Sequence, residues 1–220
     1  MIFSRVRQWL TMQTIKEVNS PINGLIKVMM IFNRPRLIMG GMLQSGGSVI
    51  KLWLKAIAEL VKQKRPVKKA LIVGLGCGDC AFAIQKYYPD AKMLGVEIDQ
   101  EVVNIAQCYF SLATVKNLKI SIDEGARFIT KLAGKKKQNQ FDLIILDAYL
   151  GDKIPKEFTT IKFFKNLTKI MSHDGVVILN HLFIDPYKQQ AEALVKEMEK
   201  IFGKITLQRT GKNLMIFGWF

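Results

Sequence analysis

Ala70-Leu-Ile-Val-Gly-Leu-Gly-Cys-Gly-Asp-Cys80 decides how this chain reads. A short apolar run of β type passes into glycines at 74, 76 and 78, and 81–88 then reads as a helix. Glycine lets the backbone come close to a ligand because no Cβ intervenes. The helix start behind it offers free N–H donors and partial positive charge. Strand, glycine turn and helix N-terminus together form a site for a nucleotide or a similar cofactor. Glu97 closes the next β-type run, so a carboxylate stands where ribose hydroxyls can donate to it.

The same alternation extends to the end of the chain. Strands over 70–75, 92–97, 118–122, 141–146 and 175–179 alternate with helices over 79–88, 99–114, 126–132, 157–171 and 186–202. Upstream, Ser48 is suited to N-cap a helix to about Gln63, with Val49, Leu52, Trp53, Ala56, Ile57 and Leu60 on one face. The tail forms two strands, 205–208 and 214–219, across Arg209-Thr-Gly-Lys-Asn213. Repeated βα units imply a parallel sheet covered on both faces. The expected fold is α/β: a Rossmann-like, doubly wound, mostly parallel seven-stranded sheet closing in an antiparallel hairpin. Residues 24–31 and 36–43 flank the turn Asn33-Arg34-Pro35 and read as a small N-terminal β-hairpin appendage. The expected division is 1–47 for the appendage and 48–220 for the main domain.

Composition narrows the class. Half the residues are apolar (49%), enough for a sizeable core. Thirty-three Lys and Arg against eighteen Asp and Glu leave +15. That charge suits a nucleic acid, an anionic membrane surface, an acidic substrate or an acidic partner protein. Lysine written on every solvated face is the preferred explanation, because only Lys135-Lys136-Lys137 is a tight run. Three cysteines, an odd and sparse set, point to a reducing, cytoplasmic setting. No apolar run reaches the ~18 residues of a membrane span. The first ten residues are too polar for a leader's core, and Arg5, Arg7, Trp9 and Leu10 make at most a frayed amphipathic turn.

Ligands of an open parallel sheet bind beyond the carboxyl ends of its strands. Those ends carry Gly74, Gly76, Gly78 and Asp79; Glu97 and Asp99; Asp123, Glu124 and Gly125; Asp147, Tyr149 and Asp152; and Asn180 and His181. Asp99 and Asp123 equally suit helix N-caps, Asp152 a turn and His181 a structural role. Glu97 and Asp147 follow long apolar runs, where an idle carboxylate is costly to bury, and so read as functional. The glycine spacing is G-x-G-x-G rather than the G-x-G-x-x-G of a dinucleotide site. It suits a cofactor without a pyrophosphate, such as S-adenosylmethionine.

With V-G-L-G-C-G-D at 73–79, G-V-E-I-D-Q-E-V at 95–102, D-E-G-A-R-F-I at 123–129 and F-D-L-I-I-L-D-A-Y at 141–149, the chain resembles the spermidine synthase family. That family is a branch of the class I S-adenosylmethionine-dependent methyltransferase fold. I-P-K-E-F-T-T at 154–160, Phe163-Phe164 and the hairpin ending in Gln44 extend the resemblance over most of 22–220. The resemblance implies that Gly74, Gly76 and Gly78 line the methionine part, that Glu97 holds the ribose diol and that Glu124 meets the adenine amino group. It implies further cofactor contacts at Gln44, Cys77, Asp79, Ile98 and Gly125. Asp147, with Tyr149 beside it, would face the acceptor and take its proton. The donor would be S-adenosylmethionine or its decarboxylated form, with no metal. Family members often dimerise through the appendage, and the flat apolar strands at 25–43 suit a homodimer.

Departures from the family pattern shift the expected reaction. Cys77 stands where aminopropyltransferases carry an aspartate for the cofactor's amine, and Leu150 stands at the second position of their D-x-x-D pair. Their Tyr-His/Gln-Glu motif has no counterpart around Ile50–Trp53. A charge of +15 also repels a polycation. Methyl transfer to another nucleophile is therefore favoured over polyamine aminopropyl transfer. Two further readings differ in class. Cys77-Gly-Asp-Cys80 is formally a C-x-x-C redox dithiol, and the charge suits a non-catalytic module that binds RNA or protein. A zinc knuckle lacks its second cysteine pair.

Overall fold

The computed structural model describes residues 12–135, 141–151 and 153–220. The turn at Arg5–Leu10, Lys136, Lys137 and Asp152 lie outside the described residues.

Seven strands form the main sheet: β5 (Lys69–Val73), β6 (Lys92–Glu97), β7 (Leu118–Ile122), β8 (Phe141–Leu146), β9 (Met171–Leu182), β10 (Lys204–Thr210) and β11 (Asn213–Trp219). Their order is β10-β11-β9-β8-β5-β6-β7. β5 to β9 run parallel, and β11 and β10 return antiparallel as the expected closing hairpin. The order reverses beside β5: β6 and β7 lie to one side, β8 and β9 to the other. Such a switch point opens a crevice at the carboxyl ends of the strands.

Among the described residues, six α-helices cover the sheet: α1 (Ser48–Lys62), α2 (Asp79–Tyr87), α3 (Gln100–Tyr109), α4 (Gly125–Ala133), α5 (Ile161–Ile170) and α6 (Lys188–Glu199). Two apolar clusters, one per face, bury the near-continuous hydrophobic runs of β5, β8 and β9. In α1, Leu52, Trp53, Ala56, Ile57 and Leu60 are buried at the spacing of one helical face. Each large side chain there contributes roughly 1.5–3 kcal/mol of gross apolar transfer. The N-cap of α1 is Gly47 rather than Ser48. Gly46 and Gly47 turn with positive φ, which moves the helix start so that Ser48 becomes its first residue.

The N-terminal appendage is a four-stranded antiparallel sheet in the order β1 (Gln13–Ser20), β2 (Gly24–Ile31), β3 (Arg34–Met39) and β4 (Met42–Ser45). β2 and β3 form the hairpin read from the sequence. β1 escaped that reading because its residues are mostly exposed and carry no buried alternation. Gly40 and Gly41, both at positive φ, divide the second run into β3 and β4. Polar links near its two ends tie this sheet to the main domain. Ser20 Oγ and Asn23 Nδ2 both donate to Asp99, which is 1% exposed and N-caps α3. Gly46 N–H donates to Asp79 at 2.8 Å.

Candidate active site

A cavity of about 1040 Å³ opens where the switch point predicts, between the strand ends, α1 and β4. Its first wall is the turn after β5. Gly74 sits at φ +81, and a Cβ there would stand 2.4 Å from the main-chain oxygen of Asp147, so the close approach of the chain just past β5 and β8 requires a glycine. Gly76 also has positive φ, but its nearest neighbour in the Cβ direction is Ser45 Oγ at 3.5 Å. A Cβ there would be in ordinary van der Waals contact, and Gly76 itself lines the cavity.

Glu97 ends β6 and is 7% exposed. Its carboxylate accepts three backbone N–H groups: Gly76 at 2.9 Å, Ile98 at 3.0 Å and Asp99 at 3.2 Å. Burial raises its pKa and those amides pull it down. One carboxylate thus locks the glycine turn to the β6 end while still lining the cavity. Asp79, the first residue of α2, is 8% exposed; burial raises its pKa against the bonds from Gly46 and Ser45.

Asp147, just past β8, is the centre of a polar chain. Trp53 Nε1 donates to Oδ2 at 3.1 Å and Asn180 Nδ2 donates to Oδ1 at 2.9 Å. Asn213 Nδ2 in turn donates to Asn180 Oδ1 at 2.9 Å. Burial pushes the Asp147 carboxyl up to about 7, opposed by the bonds from Asn180 and Trp53 and reinforced by Asp79. A carboxyl with that affinity exchanges protons near neutrality. Tyr149 lines the same cavity, but its hydroxyl donates to the Asn180 carbonyl at 2.8 Å.

Gln44, Ile98, Glu124 and Gly125 line the cavity as well. Gln44 Nε2 donates to the Gly151 carbonyl at 3.1 Å. Glu124 N-caps α4, its two oxygens accepting Ala126 and Arg127 N–H at 2.7 Å each. Asp123 instead pairs with Arg127 and Lys131, and Arg127 holds its pKa below the usual range. Cys77 and Gly78 stand behind the cavity wall. Cys77 is 1% exposed, and its N–H donates to Ser45 Oγ at 3.2 Å. A Cβ on Gly78 would meet Leu112 at 2.4 Å, so that glycine serves packing. His181 is buried with Nδ1 2.7 Å from the Leu182 carbonyl; burial lowers its pKa, and its role is structural.

Sequence reasoning missed Ser45, Trp53 and Asn213 as contributors. Ser45 sat in a glycine break with no pattern of its own. Trp53 read as core, which it is, but a buried indole N–H needs an acceptor, and that requirement was the available signal.

Cys77, Cys80 and Cys108 are free thiols. Burial pushes the Cys77 and Cys80 thiols well up, the opposite of what an attacking thiolate needs. Only Cys108, exposed, should therefore react quickly with an aromatic disulfide reagent under native conditions, with the other two appearing after unfolding. Three fast equivalents would return the dithiol reading to contention.

Residues 52–210 match the spermine/spermidine synthase domain. The chain belongs to this family. Among relatives, the polyamine aminopropyltransferase of Vibrio vulnificus is 36% identical over 124 residues, 56% of this chain and 40% of that protein. The eEF1A lysine and N-terminal methyltransferase of Mus musculus is 31% identical over 116 residues, 50% of this chain and 16% of that protein. The chain thus spans two fifths or less of these two relatives. The solved spermidine synthase of Thermotoga maritima has a TM-score of 0.76 at 18% identity, covering 96% of this chain and 74% of that one. Human methyltransferase-like protein 13 in complex with SAH has a TM-score of 0.62 at 24% identity, covering 77% and 78%. These likenesses establish the class I methyltransferase-like fold. Among the described residues, no helix is long and apolar enough to cross a membrane.

Proposed function

We propose that this protein is a transferase that moves a methyl group from S-adenosylmethionine to a nucleophilic acceptor. The observation that carries the reading is the pair of inward carboxylates, Glu97 and Asp147, placed on either side of one glycine turn in one cavity. The residues fit such a nucleoside. Gly76 lines the cavity without a side chain and leaves room that a Cβ would fill. Glu97 keeps lone pairs for a ribose diol beyond those its amides use. Glu124, although its oxygens cap α4, keeps a second lone pair on each for an exocyclic amine, and Gly125 presents no side chain beside it. A sulfonium donor supplies an already activated carbon and a neutral leaving group.

The protein's task is then to aim the acceptor and take its proton. Asp147, fixed by Trp53 and Asn180, is the proton acceptor. Tyr149 holds the β9 end through Asn180 and closes the wall. Cys77 turns into the packing, so the loop offers no acid at that position for a donor's ammonium group. Leu150 adds no second acid near Asp147. Both favour methyl over aminopropyl transfer, and relatives of both kinds occur in the family.

Calorimetric titration with S-adenosylmethionine and with its decarboxylated form tests this. Tighter binding of the parent form is expected. Preference for the decarboxylated form would make the protein a polyamine aminopropyltransferase. Binding of neither would leave a non-catalytic module that binds RNA or protein, which the +15 charge suits.

A further inference from the structure

The cavity is divided in charge, and the division follows the strand order. Glu97, Asp123 and Glu124 stand at the β6 and β7 ends, Asp79 opens α2 behind the glycine turn with its carboxylate on Gly46 N–H, and Glu157 lies in the turn whose Phe158 packs against Gly125. On the far side of Asp147 the lining is basic. Ser48, Lys51, Leu52 and Lys55 line the cavity at the i, i+3, i+4, i+7 spacing of one α1 face. The neighbouring, buried stripe of α1 carries Trp53, the donor to Asp147. Across the opening, Lys212 lines the cavity from the β10–β11 turn, next to Asn213, which begins the chain Asn213–Asn180–Asp147. All three lysines are exposed, and none forms an ion pair with a described acidic side chain.

We infer that the acceptor carries its nucleophile beside a carboxylate or phosphate group, which Lys51, Lys55 and Lys212 hold while Asp147 faces the nucleophile. This deepens the transferase reading and rests on it. Asp79 also lines the cavity but is buried and bonded to Gly46, so the exposed charges beyond Asp147 are the three ammonium groups, which repel a diamine's second end and attract an anion there. Low-dielectric walls strengthen the discrimination, since a cleft focuses the field of charges along its rim. Bland surface lysines would show no such selectivity between ligands of one length.

Two ligands of equal chain length isolate the far-end charge: 4-aminobutyrate, ending in a carboxylate, and putrescine, ending in an ammonium. The full chain is first loaded with S-adenosylhomocysteine, then titrated with each, and with phosphoethanolamine to separate phosphate from carboxylate preference. The anionic amines are expected to bind about tenfold or more tighter than putrescine, with the gap shrinking as salt rises. In the K51A/K55A/K212A variant the preference should fall about fivefold to tenfold, while nucleoside affinity stays that of the parent. Arginine at the three positions should restore it. Failure to load the nucleoside would overturn the transferase reading itself. Normal loading with putrescine preferred, with neither amine class bound, or with an unaltered preference in the variant would overturn the anionic acceptor alone. Weaker nucleoside binding in the variant would assign the lysines to the donor's own carboxylate and overturn it equally.

Discussion

Asp147→Asn is expected to slow group transfer about 10²–10⁴-fold while the protein still binds the nucleoside, because it removes the proton acceptor and little else. The variant can keep the surrounding bonds. Asn180 and Asn213 are both amides, and a concerted flip of the two presents Asn180 Oδ1, instead of Nδ2, to the amide introduced at position 147. The pH profile separates loss of a base from loss of shape. With the carboxyl pushed up to about 7, kcat/KM should rise about tenfold per unit on the acid side and level off above neutrality. The variant should lack that limb. A positive sulfonium near Asp147 favours the carboxylate, so the limb of kcat should lie at lower pH than that of kcat/KM.

The same shift makes a stability statement of opposite sign. The folded pKa of Asp147 lies above its unfolded value near 3.9. Between about pH 4 and 7 the folded state holds a proton that the unfolded state has released, so this residue's contribution falls as pH rises through that window. Asp147→Asn should therefore raise the melting temperature at pH 8, with a smaller difference at pH 5. Thermal scans at the two values decide it: an equal difference at both would mean that Asp147 does not titrate there.

The fold was legible because its signals are local. Of the parallel strands, β5, β6 and β8 are short, mostly buried runs, and each is followed by a helix with one buried face. Glu97 and Asp147 were legible for the same reason: a carboxylate directly after a buried run has to be accounted for. What escaped depends on packing between distant segments. Nothing local says that α1 lies beside the β8 end, so Trp53 could be placed in the core but not against Asp147. Asn213 reads as a turn residue until β11 pairs with β9 and brings it to Asn180. β1 joins the appendage through backbone pairing with β2 rather than through burial, and leaves almost no hydrophobic trace. The second role of Glu124 arises from reach: its side chain is long enough to fold back onto the first turn of α4.

Gly74→Ala should be the most destabilising single-methyl change in the glycine turn. Two costs add. The backbone there is left-handed at φ +81, which costs an alanine roughly 1–2 kcal/mol. The new Cβ would also stand 2.4 Å from the Asp147 main-chain oxygen and 2.8 Å from Ala148 Cα, both main-chain atoms that no rotamer change can move. Relief requires parting the ends of β5 and β8, which are pinned by Asp147 N–H to the Val73 carbonyl at 2.8 Å, while Gly74 N–H to the Val96 carbonyl at 2.9 Å ties the same turn to β6. Set against a total stability of about 5–15 kcal/mol, a combined loss of about 3 kcal/mol lowers the melting temperature by about 6–12 °C. Gly24→Ala supplies the control. Gly24 has a similar φ of +64, but nothing lies within 4 Å of its Cβ direction, so it should show the conformational cost alone. Equal losses in the two variants would mean that the β5–β8 approach is slack. A larger loss for Gly74→Ala, with transfer impaired even in the fraction that stays folded, is the expected result, because the atom displaced first is the main chain that carries Asp147.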